Sequence, residues 1–521
     1  MEYRMVFDAG SKALKCAIAN ENNEIIGIDS IIPEIIHSED GFGRTWESLN
    51  YWENILLLTE STIKKAEINS QKIRYITSTS IRPSSIFCDD EFDPLYISAS
   101  FDIRGIDYGD EIEEKLVELT GKNLYQHTGH FPNLLMIPGR FEWLRNNSQA
   151  INNQKIVHYL PIDSWILVKF GGEFHTNYTS AMESGFFDIK NKHWIDEWYS
   201  IFEIDETFFP PRVLSGEIIG NVSKSVQERL NLHPDTEIIA GIPDTQAALI
   251  AANSITPGNI SAVLGTTTPV QAIIEELQFD SEERFWIGGI SIKNICDYYL
   301  AEVSTGLTGH LIRWASNLFD FSRLSDSDEP TEEQFRNLLK RFDEFDNAEQ
   351  NQSKETIVSH SVYGNLGPLP LATTSSESLK GEFYFPSPGG VEEHFINQNQ
   401  LIGAVFDNIT FAVSRNIECL RDFTGFNQYF VSTLGGLSRY KLLCQRISDT
   451  LNTPIKYIDN YEASLQGLLI LCDVASGEVK NITDMEEKLL GQNNIYTLEP
   501  RSSMTGKLKQ KYKKWLSIIN N

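Results

Sequence analysis

Two segments of this chain carry the same local pattern, one near the start and one past the middle. The first is Val6-Phe7-Asp8-Ala9-Gly10-Ser11-Lys12-Ala13-Leu14-Lys15-Cys16-Ala17-Ile18. The second is Ser261-Ala262-Val263-Leu264-Gly265-Thr266-Thr267-Thr268-Pro269-Val270-Gln271-Ala272-Ile273. Each is an apolar strand, a turn of glycine beside a hydroxyl, and a second strand. Glycine lets backbone approach a ligand closely, and the hydroxyl adds a donor. Successive turn amides form a concave anion site. A Gly-Ser turn taken singly is ordinarily only a hairpin turn. The recurrence at similar positions in two halves of similar size points further, to a divided chain that holds a nucleoside triphosphate and transfers its phosphoryl group.

Bulk properties narrow the classes. The 521 residues suffice for two to four domains, and 41% hydrophobic with 22% charged residues is an ordinary globular balance. Lys plus Arg is 44 and Asp plus Glu is 72, so the net charge is 44 − 72 = −28. That balance argues against a nucleic-acid surface, which needs basic patches. ATP, captured by a local site, remains compatible with it. No apolar run reaches about 18 residues, so no membrane-spanning helix is expected. Six scattered cysteines, at 16, 88, 296, 419, 444 and 472, lack metal-ligand spacing and read as reduced thiols. With no signal-peptide pattern after Met1, a cytoplasmic location is the expectation. A homodimer is compatible with all of this.

Along the chain, residues 1–30 read as two or three strands. Tyr51 to Ala66 shows helical spacing, and Ile73 to Ser80 is a buried strand. Glu111 to Leu119 and the stretch around Gly139 to Asn146 read as helical, and residues 169–185 as polar loop. Glu237 to Gly241 is a strand, and a helix opens at Asp244, where an acid is favoured by the helix terminus. A boundary falls near Asn253 to Asn259, giving domains 1–252 and 253–521. The second half continues with strands at 261–273, 286–293 and 298–304, a helix from Gly306, and an acidic linker at Asp326 to Glu329. Thr331 and Gln334 form a capping box before a helix with Phe335, Leu338, Leu339 and Phe342 on one face. Residues 346–380 read as loop-rich. A helix over 401–423, a strand over 429–433, the turn Leu434-Gly435-Gly436-Leu437, and elements at 440–451, 455–457 and 462–475 follow. Alternating strands and helices indicate an α/β protein.

These residues resemble the FGGY carbohydrate kinases, over about residues 3–480 and in that family's order. Asp8-Ala9-Gly10-Ser11 with Lys15 is similar to the family's opening Asp-x-Gly-Thr turn. Pro138-Gly139-Arg140-Phe141-Glu142-Trp143 resembles its Pro-Lys-x-x-Trp segment, and Asn177-Tyr178-Thr179-Ser180-Ala181 its Thr-Asp-x-Ser-x-Ala segment. Ser215-Gly216-Glu217-Ile218-Ile219-Gly220 matches a Ser-Gly-Glu-x-x-Gly hairpin. Gly241-Ile242-Pro243-Asp244-Thr245-Gln246-Ala247-Ala248 is similar to the catalytic Gly-x-x-Asp-x-x-Ala-Ala helix start. Gly265-Thr266-Thr267 resembles the second phosphate loop, Gly435-Gly436-Leu437-Ser438 the adenosine-binding Gly-Gly-Gly-x-x-Ser, and Glu462-Ala463 with Gly467 the closing helix. Leu437 replaces the third glycine, and the usual Gly-Glu-Arg is missing around Leu369-Pro370-Leu371. The resemblance implies two ribonuclease H-like (actin-like ATPase) domains with a cleft between them, the first holding sugar and the second adenosine.

It also implies roles. Asp244 would act on the acceptor alcohol, although an isolated aspartate opening a helix is ordinarily a cap. Asp8 would hold Mg²⁺ through water, with Asp244 near the same ion. Gly10, Ser11, Lys12, Gly265 and Thr266 would face phosphate, and Gly435, Gly436 and Ser438 adenosine. Arg82, in Thr79-Ser80-Ile81-Arg82, and Asp102, in Phe101-Asp102-Ile103-Arg104, would meet the sugar, with Arg104 fixing Asp102. The expected activity is ATP-dependent phosphorylation of a small sugar or polyol, such as a pentulose or an autoinducer-2-like compound. The alternatives are a nucleotide-dependent sugar-binding regulator without efficient turnover, and an actin- or chaperone-like ATPase.

Overall fold

Strand Tyr3–Ala9 buries every residue after Tyr3, as a central strand covered on both faces must. The structure, a computed structural model, describes residues 2–98, 102–132, 136–147, 156–319, 330–372, 380–386, 396–458, 462–492 and 495–520. These divide into two compact units. One comprises Met1–Thr256, Ile274–Leu300 and Glu462–Gln492; the other comprises Pro257–Ile273, Ala301–Tyr461 and Asn493–Asn521.

In the first unit Tyr3–Ala9 pairs antiparallel with Leu14–Ala19, which pairs antiparallel with Ile25–Ile31. On its other side it runs parallel to Ile73–Ser80, which runs parallel to Glu237–Ile239. Ile218–Asn221 closes that edge antiparallel. Side chains alternate along a strand. Met5, Phe7 and Ala9 therefore join one core with Ile55 and Leu58 of helix Tyr51–Ala66 and Trp165, Ile166 and Phe170 of helix Ile162–Phe170. Arg4 and Asp8 point the other way, toward helix Ala463–Ser476. There Arg4 Nη2 meets Asp473 Oδ1 at 2.6 Å. A second, all-antiparallel sheet joins Ile35–His37, Arg44–Trp46, Pro94–Ser98, Ser85–Cys88 and His158–Leu160 in that order.

The second unit repeats the first unit's central connectivity. Asn259–Val263 pairs antiparallel with Pro269–Ile274 and parallel with Phe430–Leu434. Phe430–Leu434 runs parallel to Ile455–Ile458, and Ile495–Leu498 closes antiparallel. The recurrent turn of the sequence is thus the first hairpin of each sheet. Helix Gln398–Thr424 buries sixteen residues there. Arg446, fully buried, reaches Asp346, Glu349 and Asp407, while Lys511 of the last helix, Ser502–Ile519, reaches Glu349 and Asp407. Every carboxylate in this cluster is paired, as burial of charge demands.

Several expected elements differ. Within the stretch read as loop over 169–185, the end of helix Ile162–Phe170, the short strand Thr176–Asn177 and the turn of helix Tyr178–Met182 are formed. Residues 346–380 include the end of helix Glu332–Gln350 and the helix Lys354–His360. The capping box at Thr331 and Gln334 is formed, with Leu338 and Phe342 buried. The acidic linker Asp326 to Glu329 lies outside the described residues, as does Phe101.

Candidate active site

Asp8 is the next-to-last residue of the first strand, opposite Lys15 of the hairpin and beside Thr79 of the parallel neighbour. It is buried, and its Oδ1 has no hydrogen-bond partner among the described residues. Burial pushes its carboxyl up to about 7. The charge of Asp244 adds to the rise, and Lys15 opposes it. Lys15 Nζ in turn donates to both carboxylate oxygens of Glu462, at 2.9 and 2.7 Å. Asp8, Lys15, Asp244 and Glu462 thus form one electrostatic group within the first unit. An orphaned buried carboxylate oxygen beside a second acid is a site that gains from a cation. Among the described residues no group of three or more His, Cys, Asp or Glu could hold a metal. Mg²⁺, which takes one or two carboxylates plus substrate phosphates, fits such a sparse set.

Asp244 opens helix Asp244–Ala251, with Pro243 before it in extended conformation. Its Oδ1 accepts from the Thr245 amide at 2.6 Å, so the acid also tethers its own helix terminus. Two close approaches fix this terminus. A Cβ on Gly241 would meet the Ser78 carbonyl at 1.8 Å, and one on Gly467 would meet the Ala247 carbonyl at 1.9 Å. Neither position admits a side chain without moving backbone.

A small pocket adjoins this helix start. Ser80, Arg82, Asp163, Ser180, Glu183 and Pro243 line it, together with Tyr159 and Ser84. Arg82 Nη1 donates to Glu183 Oε2 at 2.9 Å, and Gln246 Nε2 donates to Glu183 Oε1 at 3.0 Å. The pair therefore couples the pocket wall to the Asp244 helix. Asp163 accepts from Ser80, Asn177 and Ser180 at 3.1, 2.9 and 3.2 Å. Burial nevertheless holds its carboxyl up, at about 6. Asp102 and Arg104 are not among the lining residues. Arg104 chelates Asp102 through Nε and Nη2, at 2.9 and 2.5 Å, Tyr96 donates to the same carboxylate, and the guanidinium lies 4.0 Å over Trp143.

In the turn after the first strand, the Gly10 amide donates to the Ala13 carbonyl at 3.1 Å, and Ser11 and Lys12 are exposed. In the second unit, the loop at Gly265 and Thr266 rests on the start of helix Thr308–Leu318. There the Gly309 amide donates to the Thr266 carbonyl at 3.0 Å. The Leu437 amide donates to the Leu264 carbonyl, joining this loop to the Gly435 turn of the adjacent strand. Gly435 has φ +94, and a Cβ there would meet the Leu264 carbonyl at 2.7 Å. Gly436 differs, since a Cβ would meet nothing within 4 Å. Its glycine leaves open surface on which a flat ring can lie. The Ser438 hydroxyl is directed to the backbone carbonyls of Gly435 and Ile458 and braces this turn.

The structure brings Asp8 and Asp244 together, with Arg82 lining the pocket at the same helix start. Sequence reasoning missed Asp163, Glu183, Gln246 and the role of Glu462. The first two carried a signal, as lone acids in otherwise apolar or small-residue stretches, Ile162-Asp163-Ser164-Trp165 and Ala181-Met182-Glu183-Ser184-Gly185.

Comparison with known proteins shows the family. Residues 3–251 match the model of the FGGY family of carbohydrate kinases, N-terminal domain, and residues 260–476 match the C-terminal domain. The chain belongs to the FGGY family of carbohydrate kinases and is an enzyme of that class. It is 21% identical to a gluconokinase of Bacillus subtilis (strain 168) over 504 residues, covering 95% of this chain and 91% of that one. Its fold is similar to that of a gluconate kinase from Lactobacillus acidophilus, with a TM-score of 0.81 at 15% identity over 100% of this chain and 98% of the other. It is also similar to Plasmodium falciparum glycerol kinase with ADP, with a TM-score of 0.79 at 18% identity over 100% and 98%. Among the described residues no helix is long and apolar enough to cross a membrane.

Proposed function

We propose that this enzyme transfers the γ-phosphoryl group of ATP to a hydroxyl of a small polyhydroxy compound held against Arg82, Glu183 and Asp163. The observation that carries the reading is the electrostatic coupling of a buried, partly unpartnered Asp8 to Asp244, the residue that follows Pro243 in the wall of a serine-bearing pocket. Asp244 takes the alcohol proton as the oxygen bonds to the γ-phosphorus. The bond from that phosphorus to the bridging oxygen breaks, and ADP leaves. Mg²⁺ held by Asp8 would neutralise phosphate charge and orient the triphosphate. The turn Gly10-Ser11-Lys12 within the first unit and the turn Gly265-Thr266 within the second are each assigned as phosphate-facing loops. Gly435 and Gly436 give adenosine its open backbone surface, and Ser438 holds their turn in shape. Sugar binding is assigned to the first unit and adenosine binding to the second.

A regulator without turnover has no need of both Asp8 and Asp244, and no observation favours it. Asp244→Asn tests the reading. The amide is isosteric and can still accept from Thr245, but it cannot take the alcohol proton. The expected loss in kcat is about 10²–10⁴-fold with acceptor affinity nearly unchanged, read from coupled ADP release and calorimetry. Retention of more than about a tenth of kcat at saturation would remove Asp244 from the proton-transfer role.

A further inference from the structure

Gluconate-using relatives raise the question of whether the acceptor of this enzyme is a sugar acid or a neutral compound. The charges lining the pocket bear on it directly. Among its described lining residues, Arg82 is the one cation, set against the two carboxylates Asp163 and Glu183. The Arg82 charge is already met by Glu183 at 2.9 Å, with both side chains almost wholly buried. Asp244, immediately after lining residue Pro243, adds further negative charge at the same end.

An ionised carboxylate on a ligand only accepts hydrogen bonds and needs positive charge, and the charge of Arg82 is already balanced by Glu183. Sugar hydroxyls both donate and accept. They can donate to Asp163 and Glu183, whose acceptor capacity exceeds the bonds they now make, and exchange bonds with Ser80, Ser84 and Ser180. One further group points to a ligand. Tyr159 is among the lining residues, its side chain is fully buried, and its hydroxyl oxygen has no hydrogen-bond partner among the described residues. Burial pushes this phenol up, so it stays a neutral donor and acceptor. A buried unmet hydroxyl at a pocket wall is a cost that a bound hydroxyl relieves.

We infer that the pocket selects an uncharged polyhydroxy acceptor over a sugar acid of the same length, with Glu183 neutralising Arg82 against carboxylates and the Tyr159 hydroxyl contacting the acceptor. The inference rests on the kinase reading above and deepens it.

The test uses the full-length enzyme with matched probes: xylitol, xylulose and sorbitol against xylonate and gluconate. Binding is read by calorimetry and transfer by coupled ADP release. The expected result is a preference of at least about tenfold in affinity and in kcat/KM for the best neutral probe over both acids. Glu183→Gln frees the Arg82 charge and should narrow that preference by about tenfold. Tyr159→Phe removes one oxygen from an otherwise unchanged ring. It should weaken the best neutral probe by about fivefold and leave ATP affinity unchanged, and it serves alone if Glu183→Gln does not fold. Equal or better use of an acid overturns the inference while the kinase reading stands. Probes that bind with the expected preference but draw no ADP release overturn the kinase reading and leave the selectivity. No binding by any probe overturns both. An unchanged neutral affinity in Tyr159→Phe removes Tyr159 from the site.

Discussion

Two neighbouring glycines show how differently one residue type can act. Gly435 serves the fold, because its φ of +94 and the Leu264 carbonyl, 2.7 Å from where a Cβ would stand, both exclude a side chain. Gly436 has no such constraint. Gly435→Ala should therefore cost about 1–2 kcal/mol or more in chemical denaturation. Gly436→Val should leave stability within about 0.5 kcal/mol yet raise the KM for ATP, because its side chain would stand on the surface proposed for adenosine. A stability loss in Gly436→Val equal to that of Gly435→Ala would contradict this division. Asp163 carries a pH prediction. Its carboxyl rises from an ordinary 3.8 to about 6 on folding, with burial as the largest cause. The folded chain thus holds this proton more tightly than the unfolded one. Its contribution to stability is fully present below about 3.8 and is lost as pH rises through about 6, a change of about 3 kcal/mol. Asp163→Asn cannot titrate, so its stability should fall less between pH 4 and pH 7 than that of the unaltered protein. Parallel pH profiles for the two would contradict the shift.

At the scale of elements, the helix carrying Asp244 is set by contacts that the chemistry never touches. Helix Ala463–Ser476 packs on it with Gly467 against the Ala247 carbonyl, and the first residues of the two helices both reach the Asp8 group. Gly467→Ala must push the helices apart, at a cost of about 1–3 kcal/mol in stability. It should also lower kcat by more than it raises either KM, since Asp244 shifts while the pocket wall stays. Wild-type kcat in a folded Gly467→Ala variant would show that this packing does not position Asp244. The helix start itself was legible in sequence, because Gly241, Asp244 and the small residues after it form a compact local pattern. So were helix Tyr51–Ala66 and strand Ile73–Ser80, where apolar periodicity matches burial. Helix Ile162–Phe170 was not. It buries eight of its nine residues and so lacks the one-sided stripe that marks a surface helix. The Arg82–Glu183–Gln246 link was hidden for another reason. Its members lie 101 and 63 residues apart in sequence, and only the fold makes them neighbours.

For the whole molecule, the repeated sheet connectivity gives each of the two units one version of the strand–turn–strand device. The proposed division of labour then has a thermodynamic consequence. A ligand stabilises the native contacts it binds by RT ln(1 + [L]/Kd), about 2.7 kcal/mol at a hundredfold excess over Kd. Amides exchange through local openings, so protection appears first in the segments a ligand holds. The preferred acceptor should slow exchange at residues 78–84, 159–164, 180–184 and 241–246. A nonhydrolysable ATP analogue should slow it at residues 264–268, 306–310 and 434–438. Asp244→Asn should keep both patterns while losing transfer, because the substitution alters a proton acceptor and leaves both binding surfaces intact. Hydrogen exchange read by mass spectrometry resolves these segments. Nucleotide protection confined to the first unit, with none at 264–268 or 434–438, would take adenosine off the Gly435–Gly436 turn and require a different site for it.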